Sequence, residues 1–359
     1  MEGTSTSLTA AAVVTNGAVS EFSRDPRTGA LTELGCIEET PTVADECATT
    51  GKGLWSVNQV IVSSDGKNVY TALDNTPGAI AEFVRDPVTG LLTQLPAPND
   101  CIQQRSTSSG FGAGECGTQT GLGINNVYGL DGSPDGHNVY SASIDGTSPI
   151  AEFSRESTTG ALTQLAKPND CLEEHGGTDQ VGCGNQTGHG LNGAYDLKVS
   201  PDGQNVYVVS TGGLASGDAI VELARNSDGS LTQLASPNDC IQETGGTDCG
   251  TTDGHGITNP LGLAISPDGA NVYVAAAGAR DPLAEFARVV PPATPPATQS
   301  SSSPPPNSQP QTAQSSPPAQ PAAKKPKAKK TKKHHKKRKK HKKAVRAKRI
   351  KRPAPTFTG

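Results

Sequence analysis

One short motif, written four times, constrains this chain more than anything else in it. The copies are Ser63–Tyr70 (SSDGKNVY), Ser133–Tyr140 (SPDGHNVY), Ser200–Tyr207 (SPDGQNVY) and Ser266–Tyr273 (SPDGANVY). Each reads as a tight turn feeding a strand. Proline presets φ at the second turn position, aspartate bonds back to nearby backbone, and glycine takes the positive-φ place that closes the turn. Asn-Val-Tyr and its apolar continuation favour an extended strand. Measured between Asp65, Asp135, Asp202 and Asp268, the period is 70, 67 and 66 residues.

A second motif interleaves with the first: Ala18–Arg24 (AVSEFSR), Ala79–Arg85 (AIAEFVR), Pro149–Arg155 (PIAEFSR), Ala219–Arg225 (AIVELAR) and Pro282–Arg288 (PLAEFAR). Its alternation predicts a half-buried strand. The first four copies run through a Thr-Gly or Asp-Gly turn into LTEL or LTQL, which predicts a further hairpin strand. A short apolar strand precedes each SPDG (Val57–Val62, Tyr195–Val199, Leu261–Ile265). A full unit thus carries four short strands, and a long irregular insert leads to the next unit.

Four antiparallel strands per repeat, set radially, predict an all-β fold, a β-propeller of four-stranded blades. The units run over about 8–55, 56–125, 126–193, 194–259 and 260–288. The first lacks its opening strand and the last its fourth. Five blades are counted, and both a closed five-bladed ring and an open arc of a larger one fit that count.

The eight cysteines fall in four neighbouring pairs, Cys36/Cys47, Cys101/Cys116, Cys171/Cys183 and Cys240/Cys249, one inside each insert. Their drifting spacing suits loop-closing disulfides better than a zinc knuckle, which needs short fixed gaps. Disulfides place the chain in an oxidising, extracellular or envelope compartment. The opening MEGTSTSLTAAAVV has no basic region and makes a poor export signal. Leu8–Phe22 matches the second and third strands of later units, so the expectation is that an export signal lies upstream of this chain. No run of apolar residues is long enough for a transmembrane helix.

Charge divides the chain. Residues 1–289 hold all 35 acidic side chains beside 12 Lys and Arg, a net of −23, whereas the remainder holds 19 Lys and Arg and no acid. Residues 289–323 are an uncharged Pro, Ser, Gln and Ala linker, expected to be extended. Residues 324–359 form a basic tail whose self-repulsion predicts disorder. Its Lys324–Arg352 stretch is suited to an anionic polymer or surface, and to nucleic acid only without sequence preference. Docking of the tail on its own acidic body is the plain alternative.

SPDGxNVY followed by AxEFxRDxxTGxLTQL resembles the lactonase-type β-propeller superfamily, the 6-phosphogluconolactonase-like and YVTN-repeat proteins, over about residues 8–290. The resemblance implies a propeller fold and raises lactone hydrolysis as an activity. No catalytic Arg, His or Glu set of that family maps onto this chain residue by residue.

Few side chains invite chemistry. The recurring Asp65, Asp135, Asp202 and Asp268 read as turn formers rather than catalytic or calcium-binding carboxylates. The Glu and Arg of AEFxR are expected to face solvent or a neighbouring blade. Asp100, Asp170 and Asp239 of the PNDC turns are weak calcium candidates, since hard cations take oxygen ligands. The inserts end in Gly-x-Gly at Gly51–Gly53, Gly121–Gly123, Gly188–Gly190 and Gly254–Gly256. Loops of this kind line propeller channels, which makes Lys52, His189, His255 and the adjacent Trp55 the ligand or catalytic candidates. The two histidines could serve a divalent metal or a proton transfer; otherwise no cofactor is expected. Asn185 opens a glycosylation sequon. Gly110–Gly114 reads as loop, and the repeated Tyr and Phe residues as core. The sequence reading is a secreted binding or scaffold propeller held by its basic tail, with a lactonase-like hydrolase as runner-up.

Overall fold

The computed structural model describes residues 17–39, 47–105, 116–117, 119–144, 146–174, 183–184, 187–212, 217–243, 247–278 and 283–289. Residues 1–16, Gly110–Gly114, Asn185 and the linker and tail from residue 290 onward lie outside that set.

Among the described residues five sheets follow one another along the chain, antiparallel except for one parallel pair at the end of each of the first four, and none of these residues forms a helix. Blade 1 holds β1 (Ala18–Arg24), β2 (Leu31–Glu39) and β3 (Thr49–Gly51). Blade 2 holds β4 (Val57–Val62), β5 (Asn68–Leu73), β6 (Ala79–Arg85), β7 (Leu92–Gln94), β8 (Cys101–Gln104) and β9 (Thr120–Gly121). Blade 3 repeats this as β10 (Val127–Gly132), β11 (Asn138–Ser143), β12 (Ile150–Arg155), β13 (Leu162–Gln164), β14 (Cys171–Glu174) and β15 (Thr187–Gly188). Blade 4 does so as β16 (Ala194–Val199), β17 (Asn205–Thr211), β18 (Asp218–Arg225), β19 (Leu231–Gln233), β20 (Cys240–Glu243) and β21 (Thr251–Gly254). Blade 5 has β22 (Pro260–Ile265), β23 (Asn271–Ala276) and β24 (Leu283–Ala287). The fold is propeller-like, and among the described residues its blades do not close into a ring.

The motifs lie where their chemistry puts them. In each SPDG or SSDG turn the glycine amide donates to the serine carbonyl, and the aspartate accepts from the serine hydroxyl, as in Ser133 Oγ to Asp135 Oδ1 at 2.5 Å. Two expectations need correction. The inserts are not irregular throughout: after the Pro-Asn-Asp turn the chain returns to the third strand of its own blade, so β6 pairs with both β7 and β8. The third strands are also more than half-buried. Ala79–Phe83 is buried on both faces because blades stack on either side of it, whereas β1, at the end of the stack, keeps an alternating pattern.

The hydrophobic core is accordingly divided among the seams between blades. Leu54, Val69 and Phe83 fill the first seam, Tyr70, Ile80 and Phe153 the second, Tyr140, Leu197 and Leu223 the third, and Val209, Ile257 and Val274 the fourth. Full burial of such a side chain contributes about 1.5–3 kcal/mol.

All four cysteine pairs are bonded as neighbours: Cys36–Cys47, Cys101–Cys116, Cys171–Cys183 and Cys240–Cys249. The last three pairs are buried against the preceding insert. At Gly190, whose φ is +75°, a Cβ would stand 3.0 Å from both Cys240 Sγ and Cys249 Sγ, so glycine lets the disulfide seat there.

Candidate functional site

The repeated polar residues meet at the seams. In β5, Asn68 and Tyr70 lie on the face turned to blade 3, and Tyr70 stands across from Glu82 in β6. From blade 3, Arg155 reaches over. Its Nε donates to Tyr70 Oη at 2.9 Å, its Nη2 to Asn68 Oδ1 at 2.6 Å and to both Asp65 oxygens at 3.1 Å. Its Nη1 donates to the carbonyl of Gly136 in its own blade. Tyr70 in turn donates to the Gly160 carbonyl at 2.5 Å. The next seam repeats the set with Arg225 on Tyr140, Asn138 and Asp135, and the one after it with Arg288 on Tyr207, Asn205 and Asp202. One guanidinium thus satisfies a phenol, an amide and a carboxylate, the geometry that its fixed fork of donors allows.

Glutamate makes a second tie. Glu21, Glu82 and Glu152 accept the backbone N–H of Leu92, Leu162 and Leu231 in the following blade at 2.9, 2.8 and 2.9 Å. Glutamine makes the third. The Gln94 amide is held by Lys52 N–H and gives its own hydrogens to the carbonyls of Lys52 and Asp100; Gln164 does the same at Leu122, and Gln233 at His189.

Electrostatics follow the geometry. Burial pushes the Glu82 and Glu152 carboxyls up to about 8, against one N–H bond each. Burial also raises Asp65, but the bonds from Ser63, Lys67 and Arg155 outweigh it and bring that carboxyl down to about 2. The hydroxyls of Tyr70 and Tyr140 are raised by burial and remain neutral donors.

The sequence candidates fall into this scheme. Lys52 and His189 hold the same place at two different seams, their backbones clamped by glutamine, and His255 stands at the matching position one repeat later. Lys52 also pairs with Asp100, Nζ to Oδ2 at 3.6 Å. Trp55 packs on the core of the first seam. Asp100, Asp170 and Asp239 accept the backbone N–H of Gly117, Gly184 and Gly250, one per insert. Among the described residues no three His, Cys, Asp or Glu side chains gather closely enough to hold a metal ion.

One cluster gave no motif signal. Tyr128 and Tyr195, the second residues of β10 and β16, bring their rings to 4.7 Å at 41°, and Tyr128 Oη donates to Asp74 Oδ2 at 2.5 Å. That bond, with some burial, pushes the phenol up to about 12. All three residues are half-exposed. The sequence hint would have been the matched tyrosines in successive first strands, one after Val127 and one after Ala194.

No family model and no curated protein matches this chain. Among solved structures, it is similar to a 6-phosphogluconolactonase candidate from Bacteroides uniformis, at 19% identity and a TM-score of 0.46 over 77% of this chain. A second such candidate, from Bacteroides fragilis, is 16% identical with a TM-score of 0.26 over 75% of this chain and 86% of its own. Hydrazine synthase of Kuenenia stuttgartiensis is 14% identical with a TM-score of 0.40 over 71% of this chain. The chain spans 61% of the Bacteroides uniformis protein and 49% of the hydrazine synthase chain.

Proposed function

We propose that this chain is a non-catalytic, propeller-like binding or scaffold module of an oxidising compartment, held on an anionic polymer or surface by Lys324–Arg352. One observation carries the reading: the recurring Arg, Asp, Tyr, Asn, Glu and Gln side chains bond blade to blade, as Arg155 does on Tyr70, Asn68 and Asp65. Residues so committed build a stack and leave the working surface to groups outside those seam ties, such as Tyr128, Tyr195 and Asp74. Four disulfides support the oxidising compartment. The 19 cationic side chains of the tail support attachment by counterion release.

The test compares the full chain with one lacking Lys324–Gly359 on heparin-coated beads over a salt series, beside a panel of lactones with and without divalent metal. The reading expects retention that falls steeply with salt and disappears with the deletion, at unchanged unfolding temperature, and no lactone turnover. Lactone turnover that His189→Ala and His255→Ala abolish would replace it with the hydrolase reading. Salt-resistant retention of the shortened chain would remove the tail as anchor.

A further inference from the structure

Blade 5 has no fourth strand among the described residues, and none of them fills the place where one would lie. In blades 2, 3 and 4 that place is filled by Leu-Thr-Gln (β7, β13 and β19), paired through Leu with Arg85, Arg155 or Arg225, and through Gln with Phe83, Phe153 or Leu223. The matching residues of blade 5, Phe286, Ala287 and Arg288, instead line a cavity of ≈ 420 Å³ together with Ile220, Glu222 and Ile241 of blade 4. Glu222 is the counterpart of Glu21, Glu82 and Glu152, whose carboxylates each accept the leucine N–H of the seated strand. No described residue donates a hydrogen bond to the Glu222 side chain, and its carboxyl is raised by burial. β24 pairs only with β23, so its outer edge is unpaired among the described residues.

We propose that this cavity is a strand-binding seat that takes an extended polypeptide with a Leu-Thr-Gln sequence from a partner protein, completing blade 5 by strand addition. The three filled seats define the ligand. Its leucine N–H meets Glu222, its leucine side chain enters the apolar part of the cavity beside Ile220, Val272 and Phe286, and its backbone pairs with β24. The leucines of two filled seats, Leu162 and Leu231, are fully buried, which shows how deep an anchor such a seat accepts.

The chain's own continuation is a poor match. In the complete blades the seated leucine follows the arginine by seven residues (Arg85 to Leu92, Arg155 to Leu162) or six (Arg225 to Leu231). From Arg288 the longer step reaches Pro295, and the shorter reaches Thr294 with Pro295 and Pro296 where Thr and Gln belong. Proline has no N–H for Glu222 or for the strand ladder, and it offers no amide to clamp the neighbouring insert. This inference holds whether or not the basic tail anchors the chain.

The experiment adds a fluorescent synthetic peptide copying Asn226–Pro237 (NSDGSLTQLASP) to the full chain and follows anisotropy. The expected result is saturable binding of one peptide per chain. It should weaken about tenfold when the peptide leucine at the Leu231 position is N-methylated, and about tenfold in Glu222→Ala, the change that follows loss of one charge-assisted hydrogen bond. The methylated peptide leaves the protein untouched, so it decides the matter even if Glu222→Ala folds poorly. Absence of saturable binding to the full chain, or equal binding of methylated and unmethylated peptides, overturns the proposal.

Discussion

Arg155 donates its Nε hydrogen to the hydroxyl of Tyr70, a residue 85 positions earlier and one blade back. Its side chain is only 3% exposed, whereas Asp65, bonded to the same guanidinium, keeps 31%. The buried cation donates to protein from all three of its nitrogens, and the partly wet carboxylate lowers the burden of desolvation. The same relation repeats at the next two seams. It explains why Tyr, Asn, Asp and Arg recur together along the chain.

Replacing that arginine separates a seam role from a surface role. Arg155→Met should destabilise the protein by about 3–5 kcal/mol, because Asp65 and Asn68 lose a buried partner. Arg85 holds the same place in blade 2, but among the described residues its side chain hydrogen-bonds only the Gly66 carbonyl. Arg85→Met should therefore change stability by about 1 kcal/mol or less. Denaturant unfolding of the two variants checks the contrast, and equal losses would contradict it.

Glycine in the Thr-Gly turn has a similar internal control. Gly160 has φ of +84° and a Cβ there would lie 2.0 Å from Asn68 Nδ2. Gly90, at φ of +83°, would meet nothing nearer than Leu34 Cδ1 at 3.5 Å. Gly90→Ala should lose about 1 kcal/mol from backbone strain alone. Gly160→Ala adds the clash and a displaced Asn68, for a loss of roughly 3 kcal/mol or more. Thermal unfolding of both variants measures the difference.

The buried glutamates set a pH dependence of unusual sign. Glu82 and Glu152 rise from 4.5 when free to about 8 in the folded protein, so the folded state holds more protons between those values. Their contribution is therefore most favourable in acid and is lost as pH climbs from about 4.5 through about 8. The unfolding temperature should fall from about pH 4.5 to about pH 8, and Glu82→Gln with Glu152→Gln should flatten that fall. A glutamine carbonyl still accepts the leucine N–H. A slope that the double variant leaves unchanged would assign the effect elsewhere.

Each disulfide closes a short loop, and opening one should remove roughly 3 kcal/mol by freeing the unfolded chain. Cys171 and Cys183 are buried in a seam, whereas Cys36 and Cys47 are half-exposed at the end of the stack. Mild reductant should open Cys36–Cys47 before Cys171–Cys183, as alkylation followed by peptide mapping will show. The reverse order would contradict the seam burial.

Much of this architecture was legible because local chemistry writes it. The SPDG turns, the strands on either side of them and the neighbour pairing of cysteines depend on residues close in sequence. The partners of Arg155 were not legible: Asp65 and Asn68 lie 90 and 87 positions away, and no periodicity tells which blade face an arginine crosses. The strand at Cys101–Gln104 was missed because it is short and follows a Pro-Asn-Asp turn, so it reads as loop. The Tyr128–Tyr195 pair was missed because those first strands carry no motif. Ring closure was left open by sequence, since blade count does not fix how the end blades meet.

The most direct test of the seam as the structural role of these repeated residues is a double-mutant cycle on Tyr70→Phe and Arg155→Met, read by denaturant unfolding. The account predicts a coupling of about 1–2 kcal/mol, with the double variant losing less than the two single losses combined. Strictly additive losses would show that the two side chains do not act together and would contradict it.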